Sequence, residues 1–166
     1  MSTRTPEMLF VDAAQDPWRP LGDDAVPSAH ALLTLAQWST RRDSWPTSVP
    51  VGVILGNAVD VETLTDELPR WSMVALQFPK WTDGRAYSQA RLLRARLRYT
   101  GQIRATGEVL VDMQPLLQRS GFDAALMRAD QSVDVARRAL RFFAGHYQGD
   151  LLQPLPRFAR AEACTP

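Results

Sequence analysis

The chain contains very little cysteine, lysine and histidine, and the shortages of cysteine and histidine each argue against a kind of site. Among its 166 residues there is one cysteine, Cys164, there are two histidines, and Lys80 is the single lysine. One cysteine allows no disulfide framework within the chain, which is typical of proteins of a reducing compartment. His30 and His146 have no cysteine or carboxylate neighbours at ligand spacing, so we expect no metal site.

A strong charge imbalance, long apolar runs and nucleotide-binding motifs are also missing. The net charge is only +1, which argues against a general nucleic-acid-binding protein. No apolar run approaches the roughly 18 residues that a membrane helix needs, and residues 1–6 do not resemble a secretory signal. There is no Gly-rich phosphate loop and no dinucleotide fingerprint. We therefore expect a cytoplasmic protein that has no cofactor and binds neither nucleic acid nor a membrane.

Arginine, in contrast, is abundant and makes up 18 of the 19 basic residues. The base composition of the coding sequence would explain this excess without any function. The alternative is functional, because the planar guanidinium suits oxyanions and carboxylates. The two explanations differ in whether arginines from different parts of the chain converge in space.

Short apolar stretches alternate with helical stretches along most of the chain. The predicted strands of the main domain are residues 31–35, 51–55, 72–77, 102–106 and 122–127, and the predicted helices are residues 39–45, 60–71, 84–99, 109–119 and 132–147. This alternation predicts an α/β fold with a parallel sheet of four or five strands, built from successive βα units. It leaves open whether the sheet is an open sheet or a half-barrel.

The chain is long enough for one hydrophobic core, and its composition changes near both ends. Residues 1–28 are predicted to be irregular, with a short strand at residues 8–12 followed by a segment, residues 13–27, that is rich in Asp, Pro and Gly. Residues 29–150 are predicted to form a single α/β domain, and residues 151–166 a tail that contains proline. The five tryptophans are expected to be packing residues.

The turn FPKWTDGR, which begins at Phe78, is the strongest candidate for a binding site. In open α/β sheets, ligands bind at turns that lead from the carboxyl end of a strand into a helix. Asp83 is a suitable N-cap, and Arg85 lies in the first helical turn, where free N–H groups favour an anion. The sequence therefore predicts that this turn binds a small oxyanion, such as sulfite, sulfate or phosphate, or an acidic group of a partner.

In a parallel sheet the turns that follow the strands meet along one rim. The candidate anion-binding residues supplied by these turns and strand ends are Asp83, Gly84, Arg85, Arg104, Thr106, Gly107 and Arg128, and Asn57, Glu108 and Asp130 lie beside them. The alternative is that these charges form salt bridges and helix caps that close the top of the sheet.

The helix after this turn has two distinct faces. Ala86, Ala90, Leu93 and Leu97 recur at helical spacing and are expected to lie on the sheet. A second stripe consists of Tyr87, Arg91, Arg94 and Arg98, which are the candidate residues for binding an acidic partner. Solvated surface is the alternative for this stripe.

Four phrases between residues 78 and 130 are specific: FPKWTDGR, YSQARLLR, GQIRATGEVL and GFDA. This run resembles a bacterial domain-of-unknown-function family whose members are described as oxidoreductases involved in sulfite reduction, and the resemblance is weaker over residues 1–49. It implies a polar signature made up of Asp83, Gly84, Arg85, Ser88, Gln89, Arg91, Arg94, Arg104 and Gly107. The chain departs from the family pattern at Glu108, Asp112, Met113 and Ser120, and Ser120 stands where members often have cysteine.

The family's genes lie beside that of the sulfite reductase haemoprotein, so the resemblance implies a role in converting sulfate to sulfide and cysteine. The reductase itself normally uses sirohaem coupled to an iron–sulfur cluster with four cysteine ligands. A chain with one cysteine cannot hold that cluster, so we expect an accessory role in association with the haemoprotein. Whether the chain takes part as an oxidoreductase component is left open. The alternatives are an independent enzyme or binding protein for a small phosphate or carboxylate metabolite, and a purely structural interaction protein.

Overall fold

The computed structural model describes residues 7–142 and 146–159, which contain a seven-stranded parallel sheet. The strands are β1 (Leu9–Phe10), β2 (Arg19–Pro20), β3 (Ala31–Thr34), β4 (Val51–Leu55), β5 (Met73–Phe78), β6 (Gln102–Gly107) and β7 (Ala124–Ala125). Their order is β1-β7-β6-β5-β4-β3-β2, all neighbours are parallel, and the sheet curls into a half-barrel. The predicted α/β class is thus confirmed, but the predicted number of four or five strands is too low.

The strand count was underestimated because the two edge strands have only two residues each. A run of two residues shows no periodicity, and β2 lies in the segment rich in Asp, Pro and Gly. Pro20 has no amide hydrogen to donate, which an edge strand tolerates and a central strand does not. Residues 7–28 therefore contribute both edges of the sheet.

Within the described residues, four α-helices lie between successive strands or after the last one: α1 (Leu35–Arg41), α2 (Arg85–Arg91), α3 (Gln114–Arg119) and α4 (Val133–Ala139). α1 has the predicted length of seven residues, whereas α2, α3 and α4 are shorter than predicted. α1 begins earlier than predicted because Thr34 caps it, its Oγ1 accepting from the amide of Gln37 at 3.2 Å. No helix among the residues described is long and apolar enough to cross a bilayer.

Several predicted helices contain tighter or wider turns instead of a continuous α-helix. The stretch 60–71 forms two 3₁₀ turns, Val61–Leu64 and Leu68–Arg70, and Pro69 lies inside the second. α2 continues as a π-helical turn over Leu92–Arg96, and α3 is preceded by a 3₁₀ turn over Val111–Met113. Part of the predicted helix 132–147 lies outside the described residues.

The central strands are apolar because both of their faces are covered. On one face, called the helix face, alternate residues such as Val53, Leu76 and Ile103 are fully buried in the same core as Ala90 and Leu93 of the α2 segment. On the opposite face Gly52 leaves room for Trp18, whose ring would lie 2.9 Å from a Cβ at that position. The helices thus cover one face, and the N-terminal segment covers part of the other.

Residues 11–18, which we call the strap, connect the two opposite edges of the sheet. Across seven flat strands the edges would lie roughly 29 Å apart at about 4.8 Å per strand. A strap that was fully extended would just reach, yet this one is shortened by a turn in which the amide of Gln15 donates to Asp12 O at 3.1 Å. The connection is possible because the sheet curls toward the strap, which therefore lies on the concave face.

Candidate functional site

The carboxyl ends of β4 to β7 and the turns after them lie together at one end of the strands, which we call the rim. Asn57, after β4, donates to Asp83, after β5, with 2.6 Å between Nδ2 and Oδ2. The amide of Glu108, after β6, donates to Phe78 O at 2.8 Å. Arg128, after β7, donates from Nη1 to Glu108 Oε2 at 2.9 Å. These hydrogen bonds tie the four turns together.

The Asp83 carboxylate lies where the sequence predicts a bound anion. Its Oδ1 accepts from the Arg85 amide at 3.3 Å and from Arg85 Nε at 3.0 Å, and its Oδ2 accepts from Arg85 Nη2 at 2.7 Å. Gly84 separates Asp83 from the first residue of α2. The donors of this turn are thus used by a carboxylate of the chain itself.

The hydrogen bond from Arg85 lowers the pKa of Asp83 to about 2, and the bond from Asn57 acts in the same direction. Because this pKa is lower in the folded than in the unfolded chain, the pair stabilises the fold above the ordinary pKa of aspartate. That contribution is lost as the pH falls through about 2. We expect carboxyl NMR of Asp83 to show a midpoint near 2 and Arg85→Met to raise it. A midpoint close to the ordinary value in the unsubstituted protein would contradict this geometry.

A second arginine on the rim is also paired within the chain. Arg128 binds Asp130 through two parallel hydrogen bonds of 2.6 Å, and it binds Glu108 through Nη1. The hydrogen bond from Arg128 lowers the pKa of Asp130 to about 2, and these contacts raise the pKa of Arg128. An oxyanion would have to displace a carboxylate to bind either guanidinium through the same edge.

Gly107 and Thr106 have a structural reason for their places at the end of β6. Gly107 has a φ of +93°, and a Cβ there would lie 2.5 Å from Phe78 O. The Thr106 hydroxyl donates to Leu76 O at 3.3 Å. Gly107 therefore lets the turns after β5 and β6 come close together.

Gly107→Ala should lower the free energy of unfolding by about 1–3 kcal/mol, because it combines an unfavourable φ with a backbone clash. Gly84→Ala is the matched control, since Gly84 has a φ of −82° and a Cβ there would meet only Tyr87, at 3.5 Å. Urea unfolding of the two variants gives the comparison. Equal losses would show that the close approach at Gly107 does not constrain the fold.

Arg104 lies apart from the arginines of the rim. It is in the middle of β6, opposite Ala75 and Ala124, and only 3% of it is exposed. Its Nη1 donates to Asp16 Oδ2 of the strap at 2.6 Å, and its Nη2 donates to Gln102 Oε1 at 3.0 Å. The structure thus gathers Asp83, Gly84, Arg85, Gly107 and Arg128 at the rim and holds Arg104 beneath the strap.

The rim also exposes an aromatic residue that the sequence analysis did not select. Trp81 lies between β5 and α2, and 59% of it is exposed. Lys80 precedes it and makes no ion pair within residues 7–142 and 146–159. The sequence contains no signal that separates Trp81 from Trp45, which also lies in a polar turn but is buried in the core.

A family comparison covers this whole region. The sequence model of the family described as "Bacterial protein of unknown function (DUF934)" matches residues 52–158. The chain belongs to this family. No curated protein matches the chain. The family match includes the rim and α2, whereas the strap and its residue Asp16 lie before the matched range.

The stripe on this DUF934 chain divides into buried and exposed members. Tyr87 packs edge-on against Phe78, with 5.1 Å between the ring centroids, and is half-buried. Arg91 and Arg98 are exposed, and Arg98 has a φ of 54°. Arg94 is turned inward, so the four residues do not form one continuous surface.

Arg94 connects several segments at the amino ends of the strands, opposite the rim. Its Nε donates to Gly121 O at 3.0 Å, and its Nη1 donates to Gly101 O at 2.9 Å and to Tyr99 O at 2.5 Å. Its Nη2 is paired with Asp123, which also accepts from the amide of Ile103 at 2.8 Å. The guanidinium therefore joins the segments that precede β6 and β7.

The remaining residues of the polar signature differ in burial. Gln89 is buried, and its Nε2 donates to Gly56 O at 2.9 Å and to Val59 O at 2.8 Å, which fixes α2 to the turn after β4. Ser88 is exposed. No group of three or more His, Cys, Asp or Glu side chains suited to a metal ion occurs within the described part of the chain.

Proposed function

We propose that this protein is an accessory component of assimilatory sulfite reduction that docks through its rim on an acidic surface of the sulfite reductase haemoprotein. The observation that carries the docking proposal is the exposure of Trp81 beside Lys80 on the rim. The pathway comes from the resemblance of residues 78–130 to proteins described as acting in sulfite reduction.

The composition of the rim favours a macromolecular partner. Tryptophan and arginine dominate the binding energy at protein interfaces, particularly where they are exposed in the free protein and buried in the complex. The ion pairs of Arg85 with Asp83 and of Arg128 with Asp130 hold the two guanidiniums in fixed positions. Side chains that are already ordered lose less entropy on binding.

The charge on the rim argues for an acidic partner surface in preference to a free oxyanion. Three basic residues, Lys80, Arg85 and Arg128, are balanced by Asp83, Glu108 and Asp130. A small oxyanion therefore meets no surplus of positive charge at this edge. An extended partner can instead reach Lys80 and Arg91 of α2, neither of which has an ion pair within the described residues.

The accessory role also follows from the cysteine content. A sirohaem-linked cluster needs four thiolates, and the chain has one cysteine. In this proposal the haemoprotein supplies the cluster, and the present chain supplies a docking surface.

Deletion of the gene, followed by growth on sulfate, sulfite or sulfide as the sulfur source, tests the proposal. We expect growth to fail on sulfate and sulfite and to recover on sulfide. The unsubstituted gene and Phe158→Ala, which removes an exposed aromatic ring outside the rim, should restore growth, whereas Trp81→Ala should not. Growth of the deletion strain on all three sources would overturn the pathway. Full rescue by Trp81→Ala would overturn the docking role of the rim.

A further inference from the structure

An open pocket lies at the amino ends of β5 and β6, opposite the rim, and we call it the Arg98 pocket. Its volume is about 430 Å³. Its polar wall includes Thr65, Ser72, Arg98, Thr100 and Gly101, and its apolar wall includes Pro69 and Leu97. Among the described residues, no aspartate or glutamate lines it. The pocket is therefore separate from the docking surface of the rim and carries a positive charge.

The hydrogen-bond donors of this pocket are accessible and unused. Ser72, Arg98 and Thr100 are exposed, and Gly101 is half-buried. Their hydroxyls and the guanidinium make no hydrogen bond or ion pair within residues 7–142 and 146–159. The backbone amides of Thr100 and Gly101 have no acceptor there either. A ligand in the pocket thus meets a guanidinium, two hydroxyls and two amide hydrogens.

The loop that carries these donors is fixed by hydrogen bonds to its other groups. Arg94 Nη1 donates to Tyr99 O at 2.5 Å and to Gly101 O at 2.9 Å, and the Tyr99 hydroxyl donates to Trp71 O at 3.1 Å. A Cβ on Gly101 would lie 2.2 Å from the Tyr99 hydroxyl oxygen, so only glycine lets the loop lie against this ring. Because the loop is already ordered, binding a ligand costs it little conformational entropy.

Arg98 has a backbone conformation that glycine normally takes. Its φ is 54°, and it follows the helical segment that continues α2. Glycine is the usual residue at such a helix end, because a side chain at positive φ is unfavourable. Since the Arg98 side chain has no partner within the described residues, no internal contact compensates for this strain. Backbone strain of this kind occurs preferentially at binding sites.

We propose that the Arg98 pocket binds a small phosphate monoester. The guanidinium of Arg98 binds the phosphate, and the hydroxyls of Ser72 and Thr100 and the free amides of the loop donate to the remaining oxygens. The organic part of the ligand lies against Pro69 and Leu97. The volume is within the range of ligand pockets and suits an ester with one ring. This site is independent of the docking proposal for the rim.

The donors favour a phosphate over a carboxylate or a cation. A phosphate monoester offers three terminal oxygens and carries close to two negative charges, whereas a carboxylate offers two oxygens and one charge. The donors of the pocket outnumber what a carboxylate can accept at close range. A cation would meet Arg98 without any carboxylate in the described wall.

Phenyl phosphate, phenyl sulfate and inorganic phosphate are suitable probes, with ¹⁵N–¹H resonances as the readout. We expect phenyl phosphate to shift the Thr100 and Gly101 amide resonances downfield in a saturable way, because those N–H groups acquire an acceptor. The Trp81 indole resonance, from the rim, should not move. Phenyl sulfate, with one charge fewer, should bind about fivefold more weakly. Inorganic phosphate, which lacks the ring, should bind about tenfold more weakly.

Arg98→Gly separates binding from stability, because it removes the guanidinium and relieves the backbone strain. It should weaken phenyl phosphate binding at least about tenfold, yet raise the melting temperature by about 2–4 °C. A loss of affinity in a more stable protein cannot result from unfolding. Arg138→Met, on the exposed surface of α4, is the control and should leave both quantities unchanged.

Three results would overturn the proposal. The first is the absence of a saturable shift of the Thr100 and Gly101 amides with phenyl phosphate. The second is an Arg98→Gly variant that binds phenyl phosphate as tightly as the unsubstituted protein, or that melts at the same or a lower temperature. The third is equal affinity for inorganic phosphate, since the apolar wall would then contribute nothing and the assignment of an ester would fail.

Discussion

Arg104→Met lowers the free energy of unfolding by about 3–5 kcal/mol in our expectation, because it leaves the buried carboxylate of Asp16 without its partner. Both side chains are almost inaccessible, and 2.6 Å separates Arg104 Nη1 from Asp16 Oδ2. The partners are 88 residues apart in the chain, so the pair fastens the strap to the middle of the sheet. Urea unfolding followed by tryptophan fluorescence measures the loss.

A double-variant cycle separates the pair from its surroundings. Asp16→Leu combined with Arg104→Met should recover most of the loss, because an apolar pair of similar size no longer buries an isolated charge. Arg138→Met, which removes an exposed arginine from α4, should change stability by less than about 0.5 kcal/mol. Two single losses that simply add in the double variant would contradict the assignment of a coupled ion pair.

Arg94→Lys should lower the free energy of unfolding by about 2–4 kcal/mol although it preserves the charge. A lysine ammonium cannot reproduce the planar fork that spans the carbonyls of Gly121, Gly101 and Tyr99. Each lost hydrogen bond contributes about 0.5–1.5 kcal/mol. Thermal unfolding of purified protein measures the effect.

Arg91→Met is the matched control, because Arg91 is one turn earlier on the same helix but exposed and without a partner among the described residues. It should change stability by less than about 0.5 kcal/mol. A similar loss in both variants would show that the internal contacts of Arg94 are not what stabilises this edge.

The sheet was predictable to the extent that its strands are long and apolar. β4 runs over the predicted residues, β5 is shifted by one residue, and β6 extends one residue further, because buried parallel strands have uninterrupted apolar runs. The edge strand β2 could not be found in this way, since Arg19 and Pro20 carry no apolar pattern. The position of β1 was recognised, but not its pairing with β7.

The convergence of the rim turns follows from a parallel sheet, but the contacts of its charges do not. That Asp83 would satisfy Arg85 depends on side-chain directions within a five-residue turn. The pairing of Arg104 with Asp16 depends on a strap that crosses the face opposite the helices, which local patterns do not reveal. The inward turn of Arg94 depends on contacts at a sheet edge formed by segments well beyond α2.

The burial of most tryptophans could be predicted from the sequence, but their contacts could not. A packing role was predicted for all five from their number and size, and the structure buries Trp38, Trp45 and Trp71. The sequence contains no signal that Trp38 packs against both Trp45 and Trp71. Trp81 could not be separated from them by its surroundings, because Trp45 also lies in a polar turn and is buried.

The affinity of the purified protein for the sulfite reductase haemoprotein, measured by isothermal titration calorimetry, is the most direct test of rim docking. We expect saturable binding that Trp81→Ala weakens by at least about tenfold, the effect of losing a tryptophan at the centre of an interface. Phe158→Ala should bind like the unsubstituted protein. Absence of binding, or equal affinity of the Trp81→Ala variant, would contradict docking through the rim.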